Sequence, residues 1–575
     1  MKQLLLILLL GLVGASLLTA QNATGSIVGH VKDSAGAAIV GAQVSVTNLD
    51  THDVRTVTTN EAGDYTIPVL QPGHYEVEVT ERGFKSEKTS GIVLDVDQTV
   101  RVETTLTVGT ATESISVNAT ALAIDTDSAS VGQVIGSQLI SELPLNGRNF
   151  EDLMLLAPGA VNNPGGEQTQ YRISISGTNL SSVSVGGSRG SSEGYTMDGT
   201  SILDFGYDDA MFSPSLDDIA EFDLLTKGYS AAYGYSMNQI NITSKSGTNS
   251  FHGSAFEYLR NTAVDAYKHG VTTLPLLQQN QFGYSLGGPV RIPWLYDGRN
   301  KTFFFANYEG FRQNIAGAGT TTIPEAGELS GTFSAAVLGK FTAAQTTNGA
   351  YTQCGHTYHV GDPHPLFNPW DPSGQACPFP VNADGSYAIP SQYISKIGAL
   401  IMRPGLYYPK AGPNISGVAL GAPNYSYNSS THLTYDQQNY RFDQNIGSKD
   451  QLFFHLVWHN EAQNGNSYSP VNADFTSQPA RYYSATETHT FSANFTNQIR
   501  LGYADLKWAN GPDAAISASD LSSLNWPSPF TSPGEGYPRI TFDTSALNDG
   551  LTYCGNESLY GGTSARTSAP HTRLA

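Results

Sequence analysis

Two alternating regimes of hydrophobic and polar positions run along the chain, and one gives way to the other between Ser215 and Asn261. There Phe222 and Leu224 share one face and Glu221 and Asp223 the other, and Ile240 and Ile242 repeat the pattern against Asn241 and Thr243. This is the period of half-buried strands. The run Lys245–Ser250 reads as a turn, and Phe251–Arg260 restarts as a strand. Upstream, from Thr24 to about Thr107, short alternating runs are separated by turn residues at Asp33–Gly36, Asn60–Gly63 and Pro72–Gly73. They predict an all-β sandwich of roughly seven strands. The segment from Val131 to about Thr248 is mixed: Leu139, Ile140 and Leu143, then Phe150, Leu153 and Met154, have helical spacing, broken at Pro144 and Pro158. Downstream, Tyr440, Phe442 and Ile446 oppose Arg441, Asp443 and Asn445, and past the Gly447–Asp450 turn Leu452, Phe454, Leu456 and Trp458 again share a face. That pattern fits an apolar-out, polar-in transmembrane hairpin with interfacial aromatics, and a soluble sandwich would share the alternation.

Composition narrows the setting. The 575 residues carry a net charge of -20 with only 14% charged residues, and include 59 Gly, 30 Tyr and 24 Phe. Such a balance suits a β-rich extracytoplasmic protein. Without basic runs the chain has no footprint for nucleic acid, because phosphate contacts need clustered Lys or Arg. Met1–Ala20, with Lys2 and the apolar run Leu4–Leu18, reads as a signal peptide. No later apolar stretch approaches the ~20 residues of a spanning helix, so residence in a membrane requires a barrel.

Ordered motifs add a resemblance. GxVxD, GAxVxVTN, TTNxxGxYxxPxLxPGxYxVxV and GF, spread over residues 22–108, resemble the carboxypeptidase regulatory-like domain, a transthyretin-like sandwich. LPLNGRNFEDLMLLAPG, RISISG, SSEGYTMDGTSI and SPSLDDIAEFDLLTKGYSAAYG, within 109–249, resemble the plug of TonB-dependent outer-membrane receptors of the Oar-like subgroup. SKSGTNSFHGSAFEYLRN and GGPV…DGRNKTFFF…YEGFR, in 250–575, resemble the start of that family's barrel. Where the family usually shows an acidic residue, an arginine and a Gly-Gly pair, this chain has Ala232, Tyr235 and Met237-Asn238. The resemblance implies a mostly β chain: sandwich, mixed α/β plug and partial antiparallel transmembrane β-barrel. The barrel is expected to be only the first part of a larger one, since the terminal GGTSARTSAPHTRLA has no strand pattern.

By resemblance the function is that of an outer-membrane receptor or transporter, not an enzyme. It would bind an unidentified small molecule, glycan or peptide at the cell surface, sit in outer-membrane lipid with the sandwich in the periplasm, and be driven by a TonB-type energy-coupling complex. The rival reading is a secreted or surface adhesive, carbohydrate-binding β-protein. The segment Glu113, Ser114, Ile115, Ser116, Val117 resembles the TonB box, which works by β-augmentation. It is expected either as an extended strand with no neighbour in sequence to pair with, or as the first plug strand. Cys354 and Cys377 flank a Pro/Gly-rich loop with His356, His359 and His364 nearby. An oxidising compartment favours a disulfide, with a metal site or free thiols as alternatives. No role falls to Cys554. Gly186–Gly190 satisfies G-x-S-x-G but lacks the strand and helix of a nucleophile elbow and reads as plug loop. Asp198, Asp204, Asp208 and Asp209 read as solvated loop acids. No zinc-protease ligand pattern occurs, and neither cofactor nor metal is expected.

Overall fold

A computed structural model describes residues 24–109, 114–118, 131–143, 145–162, 183–188, 192–204, 209–227, 229, 236–267, 269, 274, 276–416, 423–447, 449–466, 468–469, 474–492, 495–507, 509–512, 519–520, 522 and 573–574. The expected signal peptide, Glu113, Asp208 and Cys554 lie outside these residues.

The first unit is a two-sheet sandwich. Its strands are β1 (Gly25–Asp33), β2 (Gln43–Asn48), β3 (Val54–Thr58), β4 (Asp64–Leu70), β5 (Gly73–Thr80), β6 (Ser86–Leu94), β7 (Thr99–Arg101) and β8 (Thr104–Leu106). One sheet runs β4-β1-β7 with β8 also on β1; the other runs β3-β2-β5-β6. Every second residue of β1, β2 and β5 points inward, so Ile27, Val31, Val44, Val46, Val77 and Val79 form a closed core. The expected seven strands become eight because the last one is split into the short β7 and β8. A ninth strand, β9 (Ser114–Asn118), extends the second sheet by pairing parallel to β6, with Glu87 opposite Ile115 and Lys88 opposite Ser116. From Ser114 on, the expected coupling segment is thus not the first plug strand: with no partner near it in sequence, it pairs with the distant β6 and forms the edge strand of the sandwich.

The plug follows as β10 (Val131–Gly136), α1 (Ser137–Glu142), a 3-10 turn at Phe150–Leu156, and the strands β11 (Glu193–Met197), β12 (Ile219–Lys227) and β13 (Asn238–Ser244). Its sheet runs β10-β12-β13-β11, antiparallel except for the β11–β13 pair. Ile140, Phe150, Leu153, Met154, Phe222, Leu224, Ile240 and Ile242 make its core; of the spacing read as helical, Leu139 is exposed, and the group from Phe150 lies on the 3-10 turn. The half-buried expectation for β12 is corrected. Glu221 and Asp223, on the polar face, are also buried, because the sandwich covers that face.

The third unit is a meander of long antiparallel strands: β14 (His252–Asn261), β15 (Leu276–Pro289), β16 (Thr302–Thr321), β17 (Tyr425–Ile446), β18 (Asp450–Asn466), β19 (Ala480–Ser492) and β20 (Phe495–Leu506), each paired with the next. Alternation sorts the two faces. Tyr440, Phe442, Phe454, Trp458, Ile499 and Leu501 are exposed on the outside, while Gln437, Asn439, Arg441, His455 and His459 are buried inward against the plug. Among the described residues β14 pairs only with β15. One end of this wall has short connections, at residues 290–301 and 447–449; the other carries the long connection from Thr321 to Tyr425. No helix among the described residues is long and apolar enough to cross a membrane.

Candidate functional site

The plug meets the wall through charge and hydrogen bonds. β11 ends in a two-residue hairpin, Asp198-Gly199, in which Met197 pairs with Thr200 and both turn residues have positive φ, 48° and 74°. Tight hairpins need that geometry, and Asp-Gly supplies it at low steric cost. The turn pushes the Asp198 carboxylate into the wall. There it accepts from the Ser244 backbone N–H (3.0 Å) and Ser244 Oγ (2.8 Å), and lies 2.7 Å from His455 Nδ1 and 3.6 Å from Arg441 Nη1. Arg441 in turn donates to Ser244 O (3.0 Å) and Asp443 (2.8 Å) and stacks 4.4 Å from the Phe453 ring centre. His455 Nε2 is 3.4 Å from Asp218 Oδ2, which is fully buried in the plug. Two plug acids therefore face two wall bases across one buried interface. Burial alone would raise the Asp198 carboxyl, but the hydrogen bond to His455 and the charges of His455 and Arg441 outweigh it and hold the group below the usual carboxylate range.

Two further ties flank this centre. Glu309 on β16, fully buried, accepts from plug Ser215 Oγ (2.5 Å) and from wall groups Gln281 Nε2 (2.7 Å) and the Tyr435 hydroxyl (2.6 Å). Arg148, from the LNGRN motif, pairs with Asp217 and places its guanidinium 4.3 Å from the Phe256 ring centre on β14. The Tyr482 hydroxyl donates to Met197 O at 2.6 Å, beside the hairpin.

The sandwich docks on the short-connection end. Asn249, at the exit of the plug, donates its N–H to Asp50 O (3.1 Å), Gln451 Nε2 reaches Asp53 (2.6 Å), and Arg55 bonds Thr490. The loop after β6 donates the Val96 N–H to Glu221 Oε2 at 2.6 Å. Burial raises Glu221 and Asp223 each to about 8, with Asp95 adding to both.

The residues singled out in the sequence are distributed, not assembled. Ser114–Val117 lie on the sandwich edge, and Cys354 and Cys377 are joined by a disulfide, Cα atoms 5.5 Å apart, in the long connection at the opposite end of the wall. That bond removes the thiolates a metal would need. Ser188 donates to Glu193 Oε1 (3.2 Å) in the loop before β11. The solvated reading of the loop acids is corrected for Asp198 and Asp204, which are buried. The Asp-Gly hairpin signal could have singled out Asp198; its partner His455, 257 residues away, carries no local signal.

A plug with a buried polar contact to an apolar-coated wall defines a membrane-barrel protein. Residues 243–568 match the outer membrane beta barrel domain and residues 26–107 the carboxypeptidase regulatory-like domain. The chain belongs to the outer membrane beta-barrel family, which puts it in the outer membrane. It is 28% identical over 320 residues to the TonB-dependent transporter Oar of Myxococcus xanthus, a stretch covering 52% of this chain and 27% of Oar. Among solved structures, the outer membrane transporter YddB from Escherichia coli aligns over 66% of this chain and 40% of its own, at 9% identity and a TM-score of 0.39. The siderophore receptor PiuA from Acinetobacter baumannii aligns over 77% and 52%, at 12% identity and a TM-score of 0.32.

Proposed function

We propose that the chain works in a TonB-dependent outer-membrane receptor or transporter, taking up or sensing a surface ligand by moving the plug against the wall. The observation that carries this is the interface of Asp198 and Asp218 with Arg441 and His455. An apolar seal would expose hydrocarbon on opening. A polar one exchanges its hydrogen bonds for water, so it can hold at rest and still part under load. The resemblance to Oar supports an inner-membrane energy complex as the source of that load; its point of attachment in this reading is Glu113–Val117, whose described part is an edge strand open to β-augmentation.

The test uses Thr200→Cys, a buried plug position in the Asp198-Gly199 hairpin. In intact cells, maleimide labelling of this cysteine is expected to be several-fold higher when the inner membrane is energised than with a protonophore, and Ile115→Pro is expected to abolish the difference. Proline removes a ladder donor and fixes φ. Equal labelling in all three conditions overturns the reading.

A further inference from the structure

At the long-connection end of the wall the inner face continues past the plug. The β16–β17 register runs unbroken from Thr302 opposite Gln444 to Thr321 opposite Tyr425. Leu433, Tyr435, Gln437, Asn439 and Arg441 point inward, so Tyr427 and Tyr425, on the same parity, face the lumen above them. Their rings lie nearly parallel, at 10°, and Tyr468 meets Tyr427 edge-on with ring centres 5.5 Å apart. Together with Asn414, Asn428 and Pro409 these tyrosines line an open cavity of about 440 Å³, within the ~300–1,000 Å³ of small-molecule sites.

The lining selects among ligand chemistries. Among the described residues no Lys, Arg, Asp or Glu side chain lines it, which disfavours an anionic metal chelate, since that would need fixed positive charge. An extended peptide would need a free strand edge, and at Ser426, in the middle of the tyrosine pair, that edge is occupied: Asn414 Nδ2 donates to Ser426 O (2.8 Å) and Asn414 Oδ1 accepts the Ser426 N–H (2.7 Å). What remains is phenol faces, phenol hydroxyls, the carboxamides of Asn414 and Asn428, and Ser426. The negative faces of the rings suit the weakly positive C–H groups of a pyranose, and the hydroxyl and amide groups suit its equatorial hydroxyls. We infer that this cavity is a binding subsite for a neutral saccharide, with Tyr425, Tyr427 and Tyr468 as the stacking surface. The inference rests on the surface-receptor reading above and gives that receptor a ligand class.

The test is calorimetric titration of the full-length protein, purified from outer membranes, with maltohexaose, cellohexaose, xylohexaose and chitohexaose, and with a ferric tris-catecholate as charged comparator. At least one oligosaccharide is expected to bind. Tyr427→Ala is expected to weaken it about tenfold, and Tyr427→Phe, which keeps the ring, by only about twofold. Heat-modifiable migration of each variant checks folding, and Tyr468→Ala provides a second loss at an independent position. Binding by none of the four sugars, tighter binding of the catecholate, or sugar binding unchanged in both alanine variants overturns the assignment. Saccharide binding without energised labelling of Thr200→Cys would leave the subsite standing and remove the transport reading.

Discussion

Asp198 is the residue on which the plug's attachment turns. It is buried with His455 and Arg441, and removing one member of such a group leaves the others uncompensated in a dry site, a loss of ~3–5 kcal/mol. Asn is the informative replacement because it tolerates the left-handed φ of 48° and so isolates the charge. Asp198→Asn is expected to open the plug to protease at a denaturant concentration well below that of the parent, and unchanged resistance would count against the interface. The pH sign follows from the lowered carboxyl. Its stabilisation is complete above the ordinary value of 3.8 and is lost as pH falls through the lower folded value. The sequence displays the hairpin, because Asp-Gly is a local signal, yet it reads as one acid among four in a Gly-rich loop. A partner 257 residues distant is brought close only by the tertiary fold.

Between elements, the sandwich and plug share an acid-rich contact. Asp95 and Asp97 on the loop after β6 face Glu221 and Asp223 on β12, and the Val96 N–H donates to Glu221. Both β12 acids are raised to about 8, so the folded state holds protons the unfolded chain would release. Stability from this contact is therefore full below the ordinary carboxyl range and falls as pH rises through about 8. Hydrogen exchange at Val96, corrected for intrinsic rate, is expected to lose protection as pH rises from the ordinary carboxyl range to about 8 and to level off above it, and Glu221→Gln to flatten that profile; pH-independent protection in the parent would refute the coupling. The same scale explains β9. Its alternation marks a strand in the sequence, but a parallel partner across a connection is a non-local pairing with no sequence signal. Lys88→Cys with Ser116→Cys is expected to form a disulfide in the periplasm, since these residues are opposite in the register. Failure to cross-link while Cys354–Cys377 forms would remove β9 from the sandwich edge. Cys377→Ser is expected to cost the surface loop ~3 kcal/mol in the chain-entropy picture, measured as earlier cleavage between β16 and β17.

At the scale of the whole molecule, the order sandwich, plug, wall is legible because each part repeats its own local pattern: short strands with Pro-Gly turns, helical spacing broken by Pro144 and Pro158, and long apolar-out alternation around Tyr440 and Trp458. How the parts stack is not legible. Glu221 and Asp223 look solvent-facing in sequence and are buried because a separate unit covers them. The stacking gives the molecule two distinct ends, with β9 and the sandwich at the short connections and the disulfide loop and tyrosine cavity at the long ones. Between them sits the polar plug–wall interface, and the central claim is that this interface parts under energy from the inner membrane. Ser246 Oγ on the plug exit and Asp443 Oδ2 on the wall are 2.9 Å apart, so Ser246→Cys with Asp443→Cys can tether the two units. The decisive measurement is energised maleimide labelling of Thr200→Cys in that background. The account predicts labelling no higher than with protonophore while the tether is oxidised, and recovery of the several-fold difference on reduction; equal energised labelling with the tether closed and open would contradict it.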